Sequence, residues 1–340
     1  MSQAIRFALN IISQKEELPS SLIPEVVQEI LAGKATSSQI GALLLGLSLK
    51  GETPQEIASF AQALREVSHQ IQGPPDTLDT CGTGGDNSGS FNISTTTAFV
   101  VAGAGVTVAK HGNRFSSGRC GSADVLEHLG VPLNTSPEKC ANQLREIRMS
   151  FLFAQTFHPA MAKIATERRE LGVRTIFNLL GPLLNPAKAS YQLLGVSSHA
   201  LLPRIAQALQ LLGIKRAIVV VGEDGLDEVT LTSTTRAILV TEEEIQPFII
   251  HPEEYGFSLC SLEDLQGGEP EENSQITLEV LQGKKGPPRD IVLLNAATAL
   301  FAANKVPNIQ EGIQLAKESL DTGQALKVLE KLRSQEVYYG

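Results

Sequence analysis

The stretch from Asp79 through Gly82, Gly84, Gly85 and Gly89 to Thr95 constrains this chain more than any other, because four glycines fall within eight residues between a strand-forming run and an apolar one. Thr77 to Thr80 predicts a short strand. The far end, Asn92-Ile93-Ser94-Thr95, puts small polar side chains just before Ala98-Phe99-Val100-Val101. Glycine permits positive φ and lets backbone approach a ligand closely. Asn, Ser and Thr suit a helix start, where unpaired N–H groups face outward. Strand, glycine turn and helix N-terminus together form an anion site, most often for phosphate. A Gly/Ser linker would not end in a capped apolar helix. No Lys follows at P-loop spacing. Asn87 stands where a dinucleotide fingerprint needs its third glycine. Asp86 would repel a bare phosphate, so a second ligand is expected beside it: a sugar hydroxyl, a metal-bound water or an amine. A phosphorylated sugar meets that description.

A chain of 340 residues predicts two domains and a core large enough to do without disulfides. Cys81, Cys120, Cys140 and Cys260 are far apart and form no zinc or redox motif, which fits idle thiols in a reducing cytoplasm. The net charge of −9 disfavours nucleic acid as a partner but leaves room for a local basic pocket. Met1 to Leu22 is interrupted by Gln14-Lys15-Glu16-Glu17 and Pro19, and no apolar run approaches the ~20 residues of a membrane span. Neither a signal peptide nor a membrane partner is expected.

The expected fold class is α/β: a small N-terminal helical domain plus a larger α/β domain with a mostly parallel central sheet. Residues 1–72 read as helices. Leu22, Ile23, Val26, Val27, Ile30 and Leu31 share one helical face, as do Ile40, Leu43, Leu44 and Leu47. Thr53-Pro54-Gln55-Glu56 is a start signal for a third helix. Gln72-Gly73-Pro74-Pro75 breaks the chain, and 73–340 forms the second domain. There, strands are expected at 106–109, 151–154, 217–221, 227–231, 237–241 and 275–280. Helices are expected at 138–147 and 200–212, and through most of 290–332. Alternation of this kind argues for parallel pairing. The stretch 243–275 reads as a peripheral loop excursion.

Three further constellations carry chemistry. Lys110-His111-Gly112-Asn113-Arg114-Phe115-Ser116-Ser117-Gly118-Arg119-Cys120-Gly121-Ser122 is expected as a loop between the strand ending at 109 and a helix starting at 123. Such loops at strand carboxyl ends hold ligands, and Lys110 with several N–H groups could neutralise a diphosphate. Gly222 to Glu228 puts four carboxylates within six residues, and the pair Asp227-Glu228 suits Mg²⁺. The third comprises His158-Pro159, Arg168-Arg169-Glu170 and Asn178 to Pro186. By spacing alone, the two arginines read as surface charges, His158 as a packing residue, and 178–186 as a bend between domains.

Jointly, Gly82-Thr83-Gly84-Gly85-Asp86, Asn92-Ile93-Ser94-Thr95, Lys110 to Arg114, Gly121 to Glu127, Arg168 to Gly172, Asn178 to Pro182 and Gly222 to Glu228 resemble the anthranilate phosphoribosyltransferase family in order and spacing over nearly the whole chain. The resemblance implies transfer of a phosphoribosyl group from 5-phosphoribosyl 1-diphosphate to the amine of anthranilate, a step of L-tryptophan biosynthesis. It implies a cytoplasmic homodimer with two Mg²⁺ per subunit, held through Ser94, Asp227 and Glu228. The diphosphate substrate would lie along Gly82, Gly85, Asp86, Ser90, Asn92, Ile93, Ser94, Thr95, Lys110, His111, Gly112, Asn113, Arg114, Phe115, Ser116, Ser117, Gly118 and Ser122. Anthranilate would meet Gly82, Asn113 and Arg168, with His111, His158 and Pro182 near its channel. Lys110, Asp227 and Glu228 would be the catalytic residues. Thr166-Glu167 and the run Phe115 to Cys120 depart from the family's usual pattern next to these contacts.

Overall fold

The computed structural model describes residues 3–114 and 120–334. Four helices open the chain: α1 (Ala4–Ser13), α2 (Ile23–Leu31), α3 (Ser37–Lys50) and α4 (Pro54–Glu66). Both α3 and α4 begin on reciprocal capping boxes, Thr36 with Gln39 and Thr53 with Glu56. Glu56 does more than cap. Fully buried, it also accepts from the Leu18 N–H at 2.9 Å and from Lys50 Nζ at 2.7 Å, so one carboxylate ties three segments together.

The second part contributes β1 (Leu78–Gly82), α5 (Ile93–Gly103), β2 (Val108–Gly112), α6 (Ser122–His128), α7 (Pro137–Glu146) and β3 (Met149–Phe153). Short helices α8 (Ala154–Phe157), α9 (Ala165–Leu171) and α10 (Ile176–Leu180) follow. Then come β4 (Tyr191–Gly195), α11 (Leu201–Leu211), β5 (Arg216–Gly222), β6 (Thr235–Thr241) and β7 (Ile245–Ile250). Four helices close the chain: α12 (Pro270–Leu281), α13 (Pro287–Ala302), α14 (Ile309–Asp321) and α15 (Gln324–Ser334).

One seven-stranded sheet runs β3-β2-β1-β4-β5-β6-β7. The first five strands are parallel, β6 is antiparallel to β5, and β7 is antiparallel to β6. Alternate residues of each strand serve opposite cores, as a period of two requires. Ile218, Val220 and Leu193 face α5, α13 and α15, whereas Val219, Val221 and Leu194 face α11 and the opening helical bundle.

Four readings of the sequence need correction here, besides that of 178–186 at the site. Lys110 to Gly112 lie on β2, not in the loop after it, because β2 pairs with β3 as far as Gly112↔Phe153. Asp227 to Leu231 form no strand. The buried backbone there is satisfied by side chains instead: the Val229 N–H donates to Asn295 Oδ1 at 2.9 Å, Asn295 Nδ2 donates to the Val229 carbonyl at 2.7 Å, and the Thr230 N–H donates to Thr235 Oγ1 at 3.0 Å. Residues 275–280 belong to α12, whose start is marked by Pro270 and the acids Glu271 and Glu272. The 243–275 excursion contains the edge strand β7, two 3₁₀ turns and the head of α12.

Candidate active site

The site lies at the carboxyl ends of β1, β2, β4 and β5, where strand order reverses between β1 and β4. Open α/β sheets bind ligands at this switch point. β1 and β4 end together at Gly82↔Gly195. The chain after β5 folds back across them and sets Asp227 over both glycines. A Cβ on Gly82 would lie 2.4 Å from Asp227 Oδ2, and one on Gly195 would lie 1.5 Å from the Asp227 carbonyl oxygen. Glycine at both strand ends is therefore what admits the carboxylate.

The acids of the 222–228 turn divide by role. Glu223 pairs with Arg236 and His199 at the surface. Asp224 ties its own turn by accepting from Thr230 Oγ1 at 2.7 Å and the Leu226 N–H at 3.1 Å. Only Asp227 and Glu228 reach the glycine loop and α5. Asp227 Oδ2 accepts from the Gly84 N–H at 2.7 Å, and Glu228 Oε1 accepts from the Ser94 N–H at 3.0 Å. A carboxylate at a helix N-terminus is favoured by the helix dipole.

Lys110 is almost fully buried and donates from Nζ to the Thr80 carbonyl at 2.5 Å and to Ser94 Oγ at 3.3 Å. Its charge faces those of Glu228 and Asp79, while burial pushes its pKa down. Burial and then the neighbouring Asp86 push Asp227 up to about 7. Burial and then Asp227 push Glu228 well above the usual carboxylate range. Asp86 leaves Oδ2 buried with no hydrogen-bond partner. Three crowded acids beside Lys110 and Arg174 have unmet demand for positive charge. The Ser94 hydroxyl, Asp227 and Glu228 are hard oxygen donors, which fit Mg²⁺ completed by water and phosphate oxygens. No group of three His, Cys, Asp or Glu side chains in metal-binding arrangement occurs among the described residues.

The other expected residues are distributed around this centre. Asn92 occupies the cap position of α5, but its side chain does not cap: Oδ1 accepts from Asn273 Nδ2 at 2.9 Å. Ser90 pairs with Gln266 in an isolated bridge. Ile93 and Thr95 are buried in the first turn of α5. Ser122 opens α6 and donates to the Asn113 carbonyl at 3.3 Å. Arg114 turns away, its guanidinium held at 2.8 Å by both Asp124 and Glu127. Phe115, Ser116, Ser117 and Gly118 lie outside the described residues. Arg168 lies half-buried with its guanidinium 5.4 Å from the centroid of the Phe177 ring.

Across β2 from Lys110, His111 and His158 meet edge to face with ring centroids 5.1 Å apart. His111 Nδ1 donates to the Gly181 carbonyl at 3.2 Å, so this ring is the Nδ1–H tautomer. Burial, then His158, pushes His111 down to about 3, and burial pushes His158 down to about 4. Both are neutral imidazoles at neutral pH. Residues 178–183 of the expected bend are helical, with α10 running into a 3₁₀ turn that supplies the Gly181 carbonyl.

Sequence reasoning missed three residues. Asp79, the second residue of β1, and Asn185 are buried beside β2, where Asn185 Nδ2 donates to Asp79 Oδ2 at 2.7 Å. Arg174 reaches from the chain after α9 to the Gly84 carbonyl at 3.0 Å. Asn185 belonged to the 178–186 stretch only as part of an expected bend, and Arg174 to no motif; only the folded chain brings them to the site.

The helical bundle and the mostly parallel sheet, with its glycine turn and carboxylate pair, are the two parts of a glycosyl transferase family. Residues 8–68 match the helical bundle domain of a glycosyl transferase family, and residues 74–326 match its a/b domain. Anthranilate phosphoribosyltransferase of Desulfitobacterium hafniense strain Y51 is 70% identical over 334 residues, covering 98% of this chain and 99% of that protein. The crystal structure of anthranilate phosphoribosyltransferase from Thermus thermophilus superposes with a TM-score of 0.91 at 44% identity, over 96% of this chain and 98% of that one. The enzyme from Saccharomyces cerevisiae, in complex with PRPP and Mg, superposes with a TM-score of 0.89 at 28% identity, over 97% of each chain. The chain belongs to the anthranilate phosphoribosyltransferase family.

Proposed function

We infer that this chain transfers the phosphoribosyl group of 5-phosphoribosyl 1-diphosphate to the amine of anthranilate, giving N-(5-phosphoribosyl)anthranilate and diphosphate. The supporting observation is the convergence of Asp227 on the glycine turn with Glu228 and Lys110 on Ser94 at the adjoining head of α5. A rival of the same general fold, a nucleoside phosphorylase, would have no use for the buried carboxylate pair.

In the reaction the C1–oxygen bond to diphosphate breaks and the amine nitrogen forms a bond to C1 from the opposite face. The ribose passes through oxocarbenium character. Bound Mg²⁺, two per subunit in this reading, supplies charge neutralisation for the leaving diphosphate. The chain's own part is to hold that charge in place. Asp227, Glu228 and Ser94 hold the metal, Lys110 and the loop N–H groups face the diphosphate, and no reorganisation is needed as charge develops. Gly82, Gly85, Asp86, Ser90, Asn92, Ile93, Thr95, His111, Gly112, Asn113 and Ser122 line the sugar-phosphate side. Gly82, Asn113 and Arg168 meet anthranilate, whose carboxylate gives Arg168 a partner. Aligning the two substrates contributes up to roughly 7–11 kcal/mol in ideal cases. No general base is assigned: the aromatic amine attacks as a neutral nucleophile and becomes acidic only afterwards. The enzyme works as a cytoplasmic homodimer, with residues 1–72 and helices within 158–188 forming its helical domain.

Loss of anthranilate fluorescence in the presence of 5-phosphoribosyl 1-diphosphate and Mg²⁺ tests the assignment. Steady fluorescence at every Mg²⁺ concentration sinks it. The variant Asp227→Ala/Glu228→Ala is expected to lose activity by roughly 10²-fold or more. Full activity in that variant removes the role of the pair.

A further inference from the structure

The parallel ladder between β1 and β2 stops at its first pair, Leu78↔Val108, although both strands run on to Gly82 and Gly112. Beyond Leu78, side chains take over the facing backbone groups. The His111 N–H donates to Asp79 Oδ1 at 3.2 Å rather than to β1 backbone. The Ala109 carbonyl accepts from Asn185 Nδ2 at 2.7 Å. The Thr80 carbonyl accepts from Lys110 Nζ at 2.5 Å. The same Asn185 nitrogen bridges to Asp79 Oδ2 at 2.7 Å, and Asn185 Oδ1 accepts from the Ala187 N–H at 2.9 Å. Asp79 is fully buried and Asn185 nearly so. A buried carboxylate is costly unless compensated, and Asp79 has hydrogen bonds from His111 and Asn185 and the charge of Lys110 acting on it.

We propose that Asp79 and Asn185 are positioning residues, a polar wedge that holds β1 and β2 apart and so delivers the Lys110 ammonium to the head of α5. In a closed ladder the Thr80 carbonyl would be taken by backbone N–H. The lysine would then have no slot between the strands through which to reach Ser94 Oγ. The wedge also places a fixed negative charge behind Lys110, which favours its ammonium form in a buried position. The proposal rests on the functional reading above only for what Lys110 faces; the split ladder itself is independent of it.

The test uses the full-length protein and the variants Asp79→Asn and Asn185→Ala. Amide hydrogen exchange of the substrate-free protein reads the wedge directly. Calorimetric binding of 5-phosphoribosyl 1-diphosphate with Mg²⁺, without acceptor, reads its consequence. Both variants are expected to change exchange at Ala109 to His111. Both should weaken binding by about tenfold, the usual scale for groups that orient a ligand-holding residue. The KM for anthranilate should move less than the KM for the diphosphate substrate. A merely structural role would lower the melting temperature and the active fraction without that split. If Asp79→Asn does not fold, Asn185→Ala decides alone. Unchanged exchange at 109–111 together with wild-type affinity overturns the proposal. Failure of the unsubstituted protein to bind the substrate overturns the functional reading instead and leaves the exchange result to judge the wedge.

Discussion

At the scale of single residues, the two histidines beside the site carry a measurable consequence. His158 is held near a pKa of about 4 by burial, against an ordinary value of 6.5. The folded chain therefore binds fewer protons than the unfolded chain between these two values. Its stability is complete above the ordinary value and is lost as pH falls through that window. Asp79, raised to about 6 by burial, acts in the opposite sense between 3.8 and 6, so the whole-protein profile mixes the two. A difference measurement separates them. Between pH 7 and pH 5, His158→Asn is expected to lose roughly 2 kcal/mol less stability than the unsubstituted chain. Urea denaturation at the two pH values checks this. Parallel losses in both proteins would mean that His158 is protonated in the folded state.

At the scale of elements, polar side chains at helix starts carry more than their local role. Thr53→Ala removes one half of a capping box and is expected to cost about 1 kcal/mol in denaturant unfolding. Glu56→Ala removes the other half, and it also leaves Lys50 buried without its partner and frees the Leu18 N–H. That is expected to cost roughly 3–5 kcal/mol. Equal losses in the two variants would show Glu56 to be only a cap. The Thr53-Pro54-Gln55-Glu56 signal was legible in the sequence because capping is local. So were β1 and α5 on either side of the glycine turn, β5 as a continuous apolar run, and α7 and α11, whose apolar faces are buried. Elements with non-local bonding were not. Asp227 to Leu231 carries the β-branched pattern of a strand, yet its partners are Asn295 and Thr235, which no local pattern announces. Ile276 to Val280 is equally β-branched, and tertiary packing against α5 and α6 makes it a helix whose Pro270 start signal lay five residues upstream of the expected strand. At the site, the motif residues were legible because glycines and paired acids sit at fixed spacing. Asp79, Asn185 and Arg174 were not, because their roles exist only once β1, β2 and the 174–185 segment meet.

At the scale of the molecule, sequence families divide the chain near residue 70, but its apolar interior does not divide there. A single cluster runs from Ile5, Leu43 and Phe60 through Ile205 and Leu209 of α11 to Val219 and Val221 on the sheet. Ile176, Phe177 and Leu180 of α10 belong to it as well. The opening helices are thus one wall of a shared core, and α11 is buried between them and the sheet. Removing residues 1–73 would uncover that wall as a large contiguous apolar surface, the kind that drives association. The expected outcome for a chain of residues 74–340 is loss of cooperative thermal unfolding and strong binding of a hydrophobic dye, with secondary structure largely kept. A sharp transition within a few degrees of the full-length protein would show that the α/β part owns its core. The same continuity bears on catalysis. If the helical bundle closes over bound substrates, it must do so by sliding α4 on α11 rather than by swinging freely about Gly73-Pro74-Pro75. A packed interface permits small shear displacements far more readily than hinge opening, so solution scattering should register only a slight contraction on addition of both substrates.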